Sequence, residues 1–136
     1  MDRINISSGT EWELIVGYSR AVRVGNVVEV AGTTAVDEQG NVMGLNDAYA
    51  QTAYILQKIE RALASAGASL RDVTRTRIYV VDIRRWQEIG RAHGDVFRDI
   101  RPAATMVEVR NLIDADLLVE IEATAHIRAS SPGEQA

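Results

Sequence analysis

Three polar side chains near residue 120 could act together, because Glu120, Glu122 and His126 are separated by even numbers of residues. Side chains alternate between the two faces of a β-strand, so these three would project from the same side. Two carboxylates and an imidazole could form an acid–base cluster or part of a site for a hard metal ion. One such group supplies too few metal ligands by itself, and a solvated strand face explains the same pattern.

Several well-known enzyme classes are excluded by residues and motifs that the sequence lacks. There is no cysteine, which excludes disulfides, thiolate nucleophiles and cysteine-ligated zinc. No serine stands in a Gly-x-Ser-x-Gly motif, and neither nucleotide-binding glycine motif occurs. His93 lies on the apolar stripe of a predicted helix, where a hydrogen-bonded core histidine is favoured over a catalytic base. We therefore expect neither a cofactor nor a metal.

Charge argues against general nucleic-acid binding. Nineteen acidic and fifteen basic residues give a net charge of −4, and binding to phosphates needs a concentrated basic surface. One group of arginines has interleaved aspartates and is read as a solvated or salt-bridged face, although it could also bind anions or RNA: Arg71, Arg75, Arg77, Arg84 and Arg85.

Length and composition predict one globular domain. The chain has 136 residues, of which 46% are hydrophobic and 25% charged, with a mean hydropathy of −0.09. Residues 1–15 read as an extended lead-in, residues 16–128 as the single domain and residues 129–136 as a tail. No segment approaches a membrane span or has a signal-peptide layout, so a cytoplasmic protein that does not bind membranes is expected.

Seven segments show clear secondary-structure patterns. Gly25-Asn26 predicts a tight hairpin, Asn46 an N-cap, Gly67 a helix stop, and Asp82 the cap of a second helix that ends before Pro102. The predicted elements, in chain order, are strands 18–24 and 27–35, helix 47–66, strand 73–81, a helix over 82–100, and strands 103–109 and 117–127.

This β-β-α-β-α-β-β order predicts an α+β fold with a mixed sheet and a hairpin at each end. Both long helices would cover the same face of the sheet. The second face is then left to water or to a partner subunit, so we expect a homo-oligomer that forms through the sheet.

Three segments resemble one known family. They are residues 17–26 (GYSRAVRVGN), 101–109 (RPAATMVEV) and 118–125 (LVEIEATA). Together with the element order they resemble the RidA/YjgF family of reactive intermediate deaminases, and the likeness extends from about Tyr18 to Ile127.

The resemblance implies a chorismate-mutase-like fold and a homotrimer with clefts between neighbouring subunits. Active family members hydrolyse enamines and imines to carbonyl products and ammonia without a cofactor. In them an arginine binds the substrate carboxylate, and a glutamate positions or activates water.

Carried over residue by residue, the resemblance gives a divided result. Tyr18 matches the cleft tyrosine, Gly32 the strand glycine and Glu120 the water-handling glutamate. Thr33, the next strand residue, is a further candidate contact. Four family positions are changed, because Ala104 replaces the carboxylate-binding arginine, Met106 the cleft cysteine, Gly90 the helix asparagine and Ala31 the strand serine.

Two functions from different classes follow, with a third less favoured. The first is an enamine or imine deaminase of altered specificity that uses Glu120 and Tyr18. Arg20, which replaces a family glutamine, could reach the cleft from another direction, although the spacing does not show this. The second is a non-catalytic module that binds a small metabolite in the same cleft, and the third, RNA cleavage, is disfavoured by the acidic charge.

Overall fold

One mixed six-stranded sheet, with strand order β1-β2-β3-β6-β4-β5, organises the computed structural model, which describes residues 2–128. The predicted tail, residues 129–136, lies outside the described residues. The strands are β1 (Arg3–Ile6), β2 (Ala21–Val24), β3 (Val27–Thr33), β4 (Val73–Val80), β5 (Ala103–Glu108) and β6 (Val119–His126). The helices are α1 (Glu11–Val16), α2 (Ala48–Ser65) and α3 (Trp86–Phe97), with single 3₁₀ turns at Leu70–Asp72 and Ile83–Arg85.

The first predicted hairpin is confirmed. Strands β2 and β3 pair antiparallel with Val24 opposite Val27, so Gly25 and Asn26 make the turn. Of these two, only Gly25 takes a positive φ, 60°, a value that glycine adopts without steric cost.

The N-terminal segment is more ordered than the expected extended lead-in. Residues 3–6 pair antiparallel with β2, and residues 11–16 form α1. Both elements are short, and α1 leaves Leu14, Ile15 and Val16 exposed. A helix of six residues shows less than two turns of periodicity, so no amphipathic pattern could reveal it.

The long helix α2 is confirmed, and its face toward the sheet is fully buried at Ile55, Leu56, Ile59 and Leu63. Its N-cap is Asp47, whose side chain accepts a hydrogen bond from the Ala50 amide, and not Asn46 as predicted. Asn46 instead takes a left-handed φ of 57° in the preceding turn, a conformation that asparagine tolerates. Gly67 follows the helix with a φ of 83°, as expected of a stop.

The predicted C-terminal hairpin is wrong. Strand β6 does not pair with β5; it lies between β3 and β4 and is antiparallel to both. Strand β5 lies parallel to β4 at the edge of the sheet. The residues between β5 and β6 therefore cross over β4, a path that the strand patterns alone could not distinguish from a hairpin.

The second predicted helix begins as a 3₁₀ turn that Asp82 caps through the Arg84 amide, and continues as α3. Ile89 and Phe97 are buried as the stripe predicted, but Trp86 is 54% exposed. Trp86 lies at the first turn of α3, beyond the part of the helix that packs against the core.

The two faces of the sheet differ as expected. Along β6, Val119, Ile121, Ala123 and Ala125 are buried beneath the helices, while the alternating residues lie on the other face. Within residues 2–128, no helix combines the length and the apolar character needed to span a bilayer.

Candidate active site

A cavity of about 380 Å³ opens beside the β2–β3–β6 part of the sheet. Its walls come from α1, the segment between α1 and β2, β3, the loop after β3, α2, β6 and the β5–β6 connection. The lining residues are Thr10, Trp12, Val16, Tyr18, Arg20, Gly32, Thr34, Val36, Asp37, Lys58, Ile113 and Glu120. The cavity therefore brings together four residues selected from the sequence, namely Tyr18, Arg20, Gly32 and Glu120.

Gly32 gives the Glu120 carboxylate its place in the cavity wall. The pairing of β3 with β6 is irregular between Val30 and Thr33, and such an irregularity redirects nearby side chains. A Cβ atom on Gly32 would overlap Glu120 Oε2, so a larger residue would displace the carboxylate. Glycine is thus required here for close approach and not for an unusual φ.

Glu120 has an acid–base character suited to proton transfer. Burial raises the pKa of this carboxyl, the nearby Arg20 guanidinium lowers it, and the negative charge of Glu122 raises it further, with a net rise. A carboxyl with a raised pKa holds its proton more strongly, which suits a group that must both accept and donate a proton.

Arg20 enters the cavity from the residue just before β2. Its Nη2 donates a hydrogen bond of 2.6 Å to the Gly32 carbonyl, and its guanidinium lies 5.9 Å from the centroid of the Tyr18 ring. Burial lowers the pKa of Arg20, while Tyr18, Glu13 and Glu120 oppose this effect. Its Nε is buried without a hydrogen-bond partner in the described part of the chain.

Helix α1 forms a roof that sequence reasoning did not anticipate. Trp12 and Val16 line the cavity, and Glu13, only 6% exposed, accepts hydrogen bonds from Ser8 and Thr10. Burial alone would raise the pKa of Glu13, but hydrogen bonds from Ser8, Ser7 and Thr10 outweigh burial and lower it. The carboxylate thereby ties α1 to the residues that precede it.

Lys58 is another cavity residue that sequence reasoning missed. Its Nζ donates to the carbonyl oxygens of Thr34 and Val36, at 2.7 and 2.9 Å. A signal was present, since this single lysine lies three residues after Ile55 and four before Ala62, both buried. Burial lowers its pKa from 10.5 to about 8, with Arg20 and Arg61 lowering it further and Asp37 opposing them.

Other sequence-selected residues lie away from this cavity. Thr33 is buried on the helix-covered face, where its hydroxyl donates to the Ala31 carbonyl. Ala31 lies in the irregular part of β3 but outside the cavity lining. Gly90 is on α3, and Ala104 and Met106 are on β5 at the opposite edge of the sheet.

The remaining polar candidates have structural partners. His93 Nε2 lies 2.9 Å from the Thr76 hydroxyl, and burial lowers its pKa, as expected of a core histidine. Glu122 accepts a hydrogen bond of 2.6 Å from the Tyr79 hydroxyl. In the described range, 2–128, no group of three or more acidic or histidine side chains is arranged to hold a metal ion.

The arginine group matches the salt-bridged reading in part. Arg84 pairs with Asp82 at 2.9 Å, and Arg85 pairs with Glu88 at 3.1 Å. Arg75 instead donates to the Thr105 hydroxyl on β5.

Comparison with known proteins identifies the family. The model of the family described as endoribonuclease L-PSP matches residues 9–127, which include the cavity residues above. The chain belongs to this family. The sequence resemblance to the RidA/YjgF proteins is therefore confirmed.

Individual relatives agree with this assignment. A crystal structure of a YjgF/YER057c/UK114 family member from Mycobacterium tuberculosis is 53% identical, with a TM-score of 0.84, and covers 93% of this chain and 100% of its own. The 3-aminoacrylate deaminase RutC of Acinetobacter baylyi is 36% identical over 110 residues, 81% of this chain and 86% of its own. A RutC family protein of Pyrococcus abyssi is 34% identical over 109 residues, 80% of this chain and 85% of its own. The predicted α+β, chorismate-mutase-like fold is likewise confirmed.

Proposed function

We propose that this protein is a cofactor-independent enamine and imine deaminase, which acts as a homotrimer and releases a carbonyl product and ammonia. The observation that supports this most directly is the placement of Glu120 over Gly32, in one cavity with Tyr18 and Arg20. The similarity to a 3-aminoacrylate deaminase supports the same class of reaction.

The chemistry requires two proton transfers that Glu120 can perform. Water adds to the carbon of the C=N bond as its proton passes to a base, and the resulting carbinolamine expels ammonia once its nitrogen is protonated. A carboxyl with a raised pKa serves as base in the first step and as acid in the second. Tyr18 lines the same cavity, and in this proposal its hydroxyl contacts the substrate.

Altered specificity is part of the proposal, because Ala104 cannot bind a carboxylate. Arg20 provides a guanidinium on the opposite wall, and its unpaired Nε is a buried donor that costs about 1–3 kcal/mol to leave unsatisfied. A substrate anion that pairs with this guanidinium from the cavity would recover part of that cost. In this proposal Arg20 therefore binds the substrate carboxylate, the role that an arginine at the position of Ala104 has in the family.

The trimer is proposed from the exposed surfaces of a single subunit. Leu14 and Ile113 are 88% and 84% exposed, and Trp12 is 59% exposed beside the cavity. Apolar side chains in such numbers indicate contact with another protein surface. A neighbour placed there would complete the cavity, and its β5 would bring Ala104, Met106 and Gly90 of α3 into reach of the same substrate.

The test measures ammonia released from enamines generated in situ, for the native chain and for Glu120→Gln. The uncatalysed rate is the reference, because these compounds react with water by themselves. We expect Glu120→Gln to lose at least about 100-fold, the lower end of general acid–base catalysis. If both proteins match the uncatalysed rate, the deaminase proposal is rejected.

A second function, a non-catalytic module that binds a small metabolite, is favoured by one observation. Ala104 removes the cation that binds the family's anionic substrates, and apolar groups such as Trp12, Val16 and Ile113 line much of the cavity. A thermal-shift screen of uncharged and carboxylate-bearing metabolites separates the two. Stabilisation by uncharged compounds alone supports the binding module, whereas stabilisation by 2-oxo acids alone contradicts it.

A further inference from the structure

The cavity contains an amine in an unusual setting. Lys58 extends from α2 and is partly buried, and two of its Nζ hydrogens are directed to the carbonyl oxygens of Thr34 and Val36. Within the described residues these two carbonyls are the hydrogen-bond partners of Nζ, which leaves its third tetrahedral position unpaired. Lys58, Thr34 and Val36 all line the cavity, so a bound molecule can approach that position.

This geometry suits the neutral amine. A neutral amine has two N–H groups and one lone pair, so the two carbonyls satisfy both donors and leave the lone pair free. A charged ammonium would place its third N–H in a cavity that already contains the Arg20 guanidinium. The charged groups around Lys58 are Arg20, Arg61 and Asp37; burial and the two arginines lower its pKa to about 8, against the opposing effect of Asp37.

We propose that Lys58 is a nucleophile that captures small carbonyl compounds in the cavity as reversible imines. The lone pair attacks the carbonyl carbon, the C–N bond forms, and the carbonyl oxygen takes up a proton to give a carbinolamine. Loss of water then gives the imine, so that one carbonyl compound and one amine yield one imine and one water, with no change in oxidation state. Nucleophilic lysines in other proteins are activated in this way, by desolvation and a neighbouring cation.

The ligand class follows from the residues around the amine. Arg20 offers a cation for a carboxylate, so 2-oxo acids of two or three carbons are the expected partners. The choice of this class rests on the proposed function, whose products are carbonyl compounds. An imine substrate gives the same adduct by expelling ammonia in place of water.

The composition of the chain makes the test unusually specific. Lys58 is the only lysine among fifteen basic residues, so the N-terminal amine is the only other primary amine. That amine has an ordinary pKa of about 7.7–8.0, close to the value for Lys58, and therefore serves as an internal reference of matched basicity. Because the two amines have similar pKa values, faster labelling of Lys58 would reflect its place in the cavity and not its low pKa.

The experiment incubates the full chain at pH 8 with glyoxylate or pyruvate and cyanoborohydride, then cleaves it at arginine and weighs the peptides. Cleavage at Arg23 and Arg61 places Lys58 in the peptide 24–61. We expect this peptide to gain the reduced adduct at least 10-fold faster than the N-terminal peptide, with saturation at increasing glyoxylate. The preference should vanish in urea.

Two variants sharpen the result. Lys58→Arg retains a long basic side chain without a nucleophilic amine and should confine labelling to the N-terminal amine. Arg20→Gln should slow capture of pyruvate by more than it slows capture of acetaldehyde, which has no carboxylate. If Lys58 serves only to link α2 to the loop after β3, the two amines should be labelled equally in the native chain.

Equal labelling, or labelling at the N terminus alone, overturns the proposal without any need for a variant to fold. Adduct formation is read by mass and not by turnover, so it is independent of the deaminase assay. Labelling of Lys58 without deaminase turnover would reject the proposed function and support Lys58 as a nucleophile. Turnover without labelling of Lys58 would support the proposed function and reject the nucleophile.

Discussion

The middle of the sheet and its β5 edge differ in what they offer to a ligand. Beside β3 and β6, Arg20, Lys58 and Glu120 converge on one cavity roofed by α1. At the edge, β5 holds Ala104 and Met106, of which Ala104 is exposed. In the proposed function, β5 offers no cation to the substrate, and the Arg20 guanidinium takes that role.

This contrast teaches that charge can move between walls of a site while the fold stays the same. Glu120 depends on Gly32 for its position, and Arg20 is bonded to the carbonyl of that same glycine. Glu120, Arg20 and Gly32 thus form one unit. Gly32 is on β3, Glu120 is on the neighbouring strand β6, and Arg20 directly precedes β2. Residues on β5 can vary without disturbing this unit, because β4 lies between β5 and β6.

Among changes that test this comparison, the largest effect should come from exchanging the cation between the two walls. Arg20→Gln should lower kcat/KM for 2-aminoacrylate about 10- to 100-fold, since a charged hydrogen bond contributes about 1.5–3 kcal/mol. Adding Ala104→Arg should restore part of this loss if a neighbouring subunit brings β5 to the cavity. Unchanged kinetics in Arg20→Gln, with a gain in Ala104→Arg alone, would show that β5 is still the binding wall.

The next effect concerns the glycine beneath Glu120. Gly32→Ala should reduce deaminase activity with little loss of stability, because the added methyl displaces the Glu120 carboxylate, which is the far end of a flexible side chain. Gly94→Ala on α3 is the control, since its Cβ would make only an ordinary contact, 3.7 Å from Arg98 Nη2. Ammonia-release assays measure both variants, and equal activity would contradict the displacement of the carboxylate.

Lys58 should leave a signature in the pH dependence of stability. Its pKa is 10.5 in an unfolded chain and about 8 in the folded protein, so the unfolded chain binds more protons between these values. Stability attributable to Lys58 therefore rises with pH over this range, by about 1 kcal/mol from pH 7 to 9.5 after allowance for solvent screening.

Urea unfolding of Lys58→Met at the two pH values should lack this increment. Gln57→Met, an exposed change on the same helix, should retain it. The same rise in both variants would assign the increment to other groups.

The smallest effect should arise at the roof. Because hydrogen bonds lower the pKa of Glu13, its carboxylate stabilises the fold above pH 4.5, and this contribution is lost as the pH falls through the folded pKa. Glu13→Gln should cost about 1 kcal/mol at pH 7 and progressively less as the pH falls below 4.5. Glu11→Gln, exposed in the same helix, is the control, and a matching loss there would remove the special role of Glu13.

Periodicity predicted most of the architecture, as α2, α3 and the alternation along β6 show. It could not predict which strands are neighbours, because pairing of β6 with β3 and β4 depends on tertiary contacts and not on local pattern. Helix α1 was missed for a related reason, since six residues carry too little periodic signal.

The site was predictable where family motifs survive, and less so elsewhere. Tyr18, Gly32 and Glu120 were found through the resemblance, and the structure places them together with Arg20. Lys58 and Trp12 were overlooked because neither belongs to a motif. A charged residue in line with buried ones on α2 is the kind of anomaly that identifies Lys58 in retrospect.

The position of β6 has a consequence for how the protein is made. The ribosome synthesises this strand after all the others, yet it fills the gap between β3 and β4 and carries Glu120. The hairpin and α2 emerge first and must wait, with an unpaired β3 edge, until residues 119–126 leave the exit tunnel. The sheet and the Glu120 carboxylate are therefore completed in one late step, so no nascent chain that stops before Val119 can hold an assembled cavity.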